Sequence, residues 1–205
     1  MNRLILPADR EETLKSASDA IIKGGVIAYP TETLYGLGAR FDNELALSRV
    51  YELKERPADK AMPLIIGSIH QLDLLTGHIN DMAIRLITRF WPGPLTLIFQ
   101  AKNGLNRFIT SEGKIAARIP GESFALKLVR AAGMPITSTS ANISGKPAAA
   151  NARIILEYFG DAIEVIADGG DLDTSRPPST IIDVTRAGLH VIREGAVPIA
   201  ALKSV

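Results

Sequence analysis

Short apolar runs, each stopped by proline, glycine or a polar cluster, alternate with segments of helical period along the whole chain. That alternation is the mark of an α/β domain, because each strand-period run needs a helix or a second sheet to cover it. The spacing predicts a helix opened by a capping box at Asp9 and Glu12 and ended at Gly24-Gly25, followed by a buried strand over 26–29 that Pro30 halts. Asp42 or Asn43 caps a helix reaching about Glu55, and Pro57 closes it. A strand over 63–66 precedes two helices capped by Ser68 and Asn80, the second reaching Phe90 before Trp91-Pro92-Gly93-Pro94 makes a rigid turn with a packed indole. Strands over 95–99 and 114–120, a helix over 123–132, a strand over 135–139 and a helix over 149–159 follow. Strands over 163–167, 180–184 and 189–192 complete the pattern, the last two close enough for a hairpin. Some of these strands are antiparallel because their connections are too short for a crossover.

No linker, repeat or low-complexity tract divides the chain, so residues 1–205 are expected to form one domain. With 46% hydrophobic residues it has material for a core, and 23 basic against 22 acidic residues leave no global field to draw it onto nucleic acid or an anionic membrane. Any anion site must be local. The absence of cysteine excludes disulfides, thiolate metal sites and cysteine nucleophiles, fits a reducing compartment, and points to the cytoplasm. The N-terminus, Met1-Asn2-Arg3-Leu4-Ile5-Leu6-Pro7, has too short an apolar stretch for a signal peptide, and no segment is apolar enough for a membrane span. His70, His78 and His190 are scattered without metal-ligand spacing, so no metal site is expected.

Two constellations stand out against this background. Lys54 and Arg56, with Lys60 beyond, sit at a helix end, where they are either a solvated terminus complementing the helix dipole or a set of cations for phosphate oxygens. The run Ser138-Thr139-Ser140-Ala141-Asn142, with Ser144 following, carries more hydroxyls than a generic turn and lies at the carboxyl end of a strand, where open α/β sheets bind ligands. Arg118, in an otherwise apolar strand, is costly without a partner or a cavity, and a carboxylate would satisfy it. Arg193 and Glu194 read as a surface pair. The glycines of Pro30-Thr31-Glu32-Thr33-Leu34-Tyr35-Gly36-Leu37-Gly38 match neither a Walker loop nor Gly-x-Gly-x-x-Gly, which leaves this segment as a polar loop beside a site. Residues 168–179, rich in Gly, Asp and Pro, are the candidate mobile loop.

In order along the chain, Pro30-Thr31-Glu32-Thr33-Leu34-Tyr35-Gly36-Leu37, Leu53-Lys54-Glu55-Arg56-Pro57, Trp91-Pro92-Gly93-Pro94-Leu95-Thr96, Ala117-Arg118-Ile119-Pro120, Ser138-Thr139-Ser140-Ala141-Asn142-Ile143-Ser144-Gly145 and Ser179-Thr180-Ile181-Ile182-Asp183 together resemble the YrdC family. The resemblance implies a single YrdC-like domain with an open twisted mixed sheet, flanking helices and a large concave cavity, without the additional C-terminal domain of longer members. It implies the activity of the family's characterised enzymes, which join L-threonine, bicarbonate and ATP into threonylcarbamoyl-AMP and pyrophosphate. Threonylcarbamoyl transferase machinery then modifies the adenosine beside a tRNA anticodon. The family's catalytic set falls on Lys54, Arg56, Ser140 and Asn142, its threonine site on Thr31, Arg118 and Ser138, and its ATP site on Arg56, Lys60, Ser140 and Arg193. Mg2+ is expected with the triphosphate. The alternative implied by the same superfamily is a module that contacts tRNA or duplex RNA without synthase activity, although a nearly neutral chain with 5% aromatic residues is poorly built for it.

Overall fold

The computed structural model describes residues 4–57 and 60–203; the N-terminal stretch read above falls partly outside them, at Met1-Asn2-Arg3. Among these residues the chain runs β1 (Leu4–Pro7), α1 (Glu11–Ile22), β2 (Ile27–Pro30), β3 (Tyr35–Gly38), α2 (Glu44–Lys54), β4 (Leu64–Ile65), a 3-10 turn (Ile69–Leu74) and α3 (Asp81–Phe90). It continues with β5 (Leu95–Gln100), β6 (Thr110–Ser111), β7 (Lys114–Arg118), α4 (Phe124–Ala132), β8 (Ile136–Thr137), β9 (Thr139–Ser140) and α5 (Ala152–Phe159). A short 3-10 turn (Gly160–Ala162), β10 (Val165–Asp168), β11 (Thr180–Asp183), β12 (His190–Arg193) and α6 (Ile199–Leu202) close it.

Two mixed sheets result where one was expected. The first has the order β1-β10-β2-β3-β9, the second β12-β11-β5-β7-β4-β8 with β6 paired on β7. β1, β10 and β2 run parallel, while β3 reverses against β2. In the second sheet β5 runs parallel to β11 and antiparallel to β7. The hairpin of β11 and β12 forms as the spacing predicts.

The chain passes from one sheet to the other at a single residue. β8 pairs with β4 in the second sheet and β9 with β3 in the first, and Ser138 is the residue between them. Its backbone N–H donates to the Pro63 carbonyl at 2.8 Å, tying the crossing point to the start of β4. A strand expected to run unbroken over 135–139 is thus split, which exposes the polar run where the two sheets part.

Period-2 alternation divides the second sheet into a core face and an open face. Leu95, Leu97 and Phe99 of β5, Ile115 and Ala117 of β7, and Thr180 and Ile182 of β11 are buried. Thr96, Ile98, Lys114, Ala116, Arg118, Ile181 and Asp183, the residues between them, line a cavity. Register keeps this face aligned, with Thr96 opposite Ile181 and Ile98 opposite both Asp183 and Ala116.

Several local expectations hold and several are corrected. Asn43 and Asn80 cap α2 and α3, their side chains accepting from Ala46 N at 3.0 Å and Ala83 N at 2.9 Å. No capping box forms at Asp9: α1 begins at Glu11 behind Arg10, and Thr13 Oγ1 donates to the Pro7 carbonyl at 2.6 Å. Ser68 opens only the 3-10 turn. The fifth helix starts at Ala152 because Asn151 caps it, accepting from Ile154 N at 3.1 Å. The Trp91 indole donates to the Leu95 carbonyl at 2.6 Å, as a packed turn requires.

β3 is the main omission from the sequence reading. Its glycines pass over the buried Tyr29 ring, and a Cβ on Gly38 would sit 2.6 Å from Tyr29 Cε1.

Candidate functional site

The cavity occupies about 730 Å³, within the range of small-molecule sites, and both sheets contribute walls. Thr31, Thr33, Tyr35 and Gly36 come from the first sheet's turn and strand, and Ser138, Thr139, Ser140 and Asn142 from the crossing run. The second sheet supplies its open face together with Ser179, Ile192 and Arg193, and Arg56 enters from the end of α2. Of the residues singled out by sequence, Thr31, Arg56, Arg118, Ser138, Ser140, Asn142 and Arg193 are therefore brought together. Lys54 and Lys60 are not among the lining residues.

Lys54 is 2% exposed and lies beneath the crossing run rather than in the cavity. Its ammonium donates to the Ser140 carbonyl, to the Asn142 carbonyl at 2.8 Å and to Asn142 Oδ1 at 3.1 Å. Three acceptors match the three donors of a protonated lysine. Burial, and then the neighbouring Arg56 guanidinium, push Lys54 down to about 7. A charge placed here orders the turn that carries Ser140 and Asn142, and Ser140 Oγ completes it by donating to Asn142 Oδ1 at 2.6 Å.

Lys60 acts through its backbone. Its carbonyl accepts from Arg56 Nε at 2.7 Å and from the Tyr51 hydroxyl, while its side chain is exposed. Arg56 is further held by the Ala61 carbonyl at 2.9 Å, by Thr139 Oγ1 at 3.5 Å and by the Tyr51 ring, 5.8 Å from the guanidinium carbon. A planar guanidinium fixed on one edge keeps donors on its other edge for an anion.

Arg118 is 7% exposed and meets both conditions set for it, since it lines the cavity and has a charge partner, Glu32. Arg193 does not pair with Glu194. Its Nη2 donates to the Ser179 carbonyl at 2.8 Å, whereas Glu194 Oε1 accepts from Ile199 N at 2.8 Å. The backbone of the β11 and β12 hairpin brings Arg193 over Ser179, and burial followed by the charge of Arg118 lowers its affinity for its proton. Thr31 is committed to its own turn, donating to the Leu34 carbonyl at 2.7 Å and accepting from the Thr33 and Leu34 amides. Its hydroxyl shapes the cavity's edge more than it offers a free donor.

Sequence reasoning gave no role to Glu32 or to the Lys114 and Asp183 pair. Lys114 Nζ reaches Asp183 Oδ2 at 2.8 Å inside the cavity. Although burial opposes it, hydrogen bonds from Lys114 and Thr185 hold the Asp183 carboxyl down to about 2. The signal was present: an acid in the apolar run 180–184 calls for a partner as much as Arg118 does. Residues 169–179 carry neither helix nor strand, yet Gly169 N donates to the Tyr35 hydroxyl at 2.7 Å, that hydroxyl donates to the Gly170 carbonyl at 2.9 Å, and Leu172 N reaches the Ala150 carbonyl at 2.8 Å. Among the described residues no group of three or more His, Cys, Asp or Glu side chains could hold a metal ion, and no helix is long and apolar enough to cross a membrane.

The arrangement is a polar groove with three guanidinium groups, each already anchored by protein, around a hydroxyl-rich turn. Such preplaced cations suit a reaction among anions and offer no obvious nucleophile. Comparison with known proteins places this groove in context. The model of the Sua5–YciO–YrdC family, described as telomere recombination, matches residues 19–195. The threonylcarbamoyl-AMP synthase of Pyrococcus abyssi (strain GE5 / Orsay) is 40% identical over 196 residues, 95% of this chain and 57% of that protein. The threonylcarbamoyl-AMP synthase of Vibrio cholerae serotype O1 (strain O395) is 36% identical over 187 residues, 90% of this chain and 98% of that protein. The crystal structure of Pyrococcus abyssi Sua5 complexed with L-threonine matches 100% of this chain with a TM-score of 0.90 at 38% identity, and 60% of that protein is covered. The chain thus spans little more than half of the Pyrococcus protein and nearly all of the Vibrio protein.

Proposed function

The chain belongs to the Sua5–YciO–YrdC family, and from that premise we propose that it is an L-threonylcarbamoyladenylate synthase, a nucleotidyltransferase that makes threonylcarbamoyl-AMP and pyrophosphate from L-threonine, bicarbonate and ATP. The observation that carries this reading is the convergence of Arg56, Arg118 and Arg193 on one groove beside Ser138, Ser140 and Asn142. Two anionic ligands must be brought together for an amino acid to be joined to a nucleotide, and the groove supplies guanidinium groups enough for both.

Arg118 is assigned to the threonine carboxylate, with Thr31 and Ser138 shaping the pocket for its other polar groups. Arg56 and Arg193 are assigned to phosphate charge, and Ser140 and Asn142 to hydrogen bonds with nucleotide or carbamate oxygens. Once neutral, the threonine amine attacks the carbon of carbon dioxide and gives up a proton, or that of bicarbonate with loss of water, to give a carbamate. A carbamate oxygen then attacks the α-phosphorus and pyrophosphate leaves. Every partner in that displacement is an anion, so the barrier the protein lowers is charge repulsion and misalignment. Lys54 contributes by fixing the Ser140 to Asn142 turn from behind, and Lys60 by holding Arg56 through its carbonyl. Mg2+ is assigned to the nucleotide: among the described residues no group of three or more His, Cys, Asp or Glu side chains could hold a metal ion, and Asp183 is committed to Lys114 and Thr185.

Transfer of the threonylcarbamoyl group to tRNA, in the cytoplasm, is assigned to partner enzymes, and contact with tRNA to that later step. Incubating the protein with ATP, bicarbonate and L-threonine should release pyrophosphate only when threonine is present. Threonine-independent release, or none, would overturn the proposal.

A further inference from the structure

Arg193 enters the groove from the last residue of β12, and the group that holds the chain behind it lies on the core face of β11. The Arg193 guanidinium donates to the Ser179 carbonyl at 2.8 Å and to Ser179 Oγ at 3.3 Å, and Ser179 Oγ also accepts from Thr96 Oγ1 at 2.9 Å. The next residue, Thr180, is fully buried. Its hydroxyl has one proton to give and two lone pairs, and all three are spent on the segment that follows Arg193. Thr180 Oγ1 donates to the Val197 carbonyl at 2.7 Å and accepts from Gly195 N at 2.9 Å and from Val197 N at 3.0 Å. The segment also lies directly on the backbone of β11: Ala196 N donates to the Pro178 carbonyl at 2.9 Å, and a Cβ on Gly195 would sit 2.1 Å from the Pro178 carbonyl oxygen. Only glycine permits that approach.

Strand pairing does not do this work by itself. Arg193 stands opposite Ile181, but the register of β11 and β12 shifts between Ile181 and Ile182, so the ladder is irregular where Arg193 leaves it. The Thr180 hydroxyl supplies the missing fixture just beyond that point. Misplacing a binding group by about 1 Å costs up to about a hundredfold in rate, so the main chain under a cation matters as much as its charge. We propose that Thr180 is a positioning residue for the nucleotide end of the groove: its hydroxyl clasps residues 195–197 and thereby fixes the main chain from which Arg193 reaches phosphate. The inference rests on the synthase reading, which assigns Arg193 to phosphate charge.

Initial rates of threonine-dependent pyrophosphate release by the full chain, with ATP and threonine varied in turn, test it. Thr180→Val, which keeps the shape and loses the hydroxyl, should raise the KM for ATP at least about tenfold and leave that for threonine within about twofold. Thr180→Ser, which restores the hydroxyl, should return the KM for ATP to within about threefold of wild type. In an Arg193→Ala background Thr180→Val should add less than about twofold, because the group it positions is gone. An unchanged KM for ATP in Thr180→Val, equal rises for both substrates, no recovery with serine, or a full further effect in the Arg193→Ala background each overturn the positioning role. If Thr180→Val does not fold, Thr180→Ala leaves room for a water among the three partners and should still raise the KM for ATP at least about threefold with that for threonine unchanged. An unchanged KM for ATP there overturns the proposal. Wild type that releases no pyrophosphate with threonine would instead overturn the synthase reading itself.

Discussion

The Lys54 ammonium donates to the Asn142 carbonyl at 2.8 Å, across 88 positions of sequence, and so joins the end of α2 to the turn that faces the groove. A cation expected to neutralise phosphate is instead an internal clamp. Replacing it by an apolar side chain of similar length leaves the Ser140 and Asn142 carbonyls without their donor, and each buried orphan costs about 1–3 kcal/mol. Lys54→Met should therefore lower the unfolding free energy by about 2 kcal/mol or more, together with a loss of pyrophosphate release. Denaturant titration checks the first and turnover the second; an unchanged midpoint would show that the turn holds without its clamp.

The same residue makes stability depend on pH with an unusual sign. Burial and Arg56 set Lys54 at about 7 in the folded chain against 10.5 ordinarily, so between those values the unfolded chain binds the extra proton. Stability from this site then rises with pH across that window, by at most about 1.4 kcal/mol per pH unit, and the full cost of burying the charge is present below about pH 7. The difference in unfolding free energy between wild type and Lys54→Met should grow between about pH 7 and about pH 9. A difference that stays flat would mean the three acceptors keep Lys54 protonated throughout.

Sequence pattern gave the elements well where packing and propensity agree, as at the Asn43 and Asn80 caps and the alternating β5. It missed β3, because Tyr35-Gly36-Leu37-Gly38 looks like a loop until the Tyr29 ring beneath it is known. It joined two sheets into one for a related reason: nothing local marks Ser138 as the point where pairing passes from β4 to β3. The site's charge inventory was legible, its directions were not. Lys54, Arg56 and Lys60 are neighbours in sequence, yet one faces inward, one lines the groove and one is exposed, and only the αL turn at Glu55 and the contacts beyond it decide which.

The two ends of the groove should separate in kinetics. Arg118→Lys cannot serve Glu32 and a substrate carboxylate with one planar fork, and should raise the KM for threonine at least about tenfold while leaving that for ATP nearly unchanged. Arg193→Ala should do the reverse, because the guanidinium anchored on Ser179 is removed from the assigned nucleotide end. Initial rates with each substrate varied in turn measure both. Parallel effects of the two variants on both substrates would dissolve the division of the groove.

Acid should expose the second ion pair. Hydrogen bonds from Lys114 and Thr185 hold Asp183 at about 2, below its ordinary 3.8, so the contribution is complete above about pH 4 and disappears as pH falls toward about 2. For a carboxylate this buried the shift corresponds to about 2 kcal/mol. Asp183→Asn, which cannot accept the lysine's charge in the same way, should be less stable than wild type by about that amount near neutrality, and the gap should close toward about pH 2, where the wild-type carboxyl is itself protonated. Urea denaturation of both proteins across the acid range follows the closure. If the gap persists at the lowest pH, the loss comes from repacking of β11 against β5 rather than from the charge of Asp183.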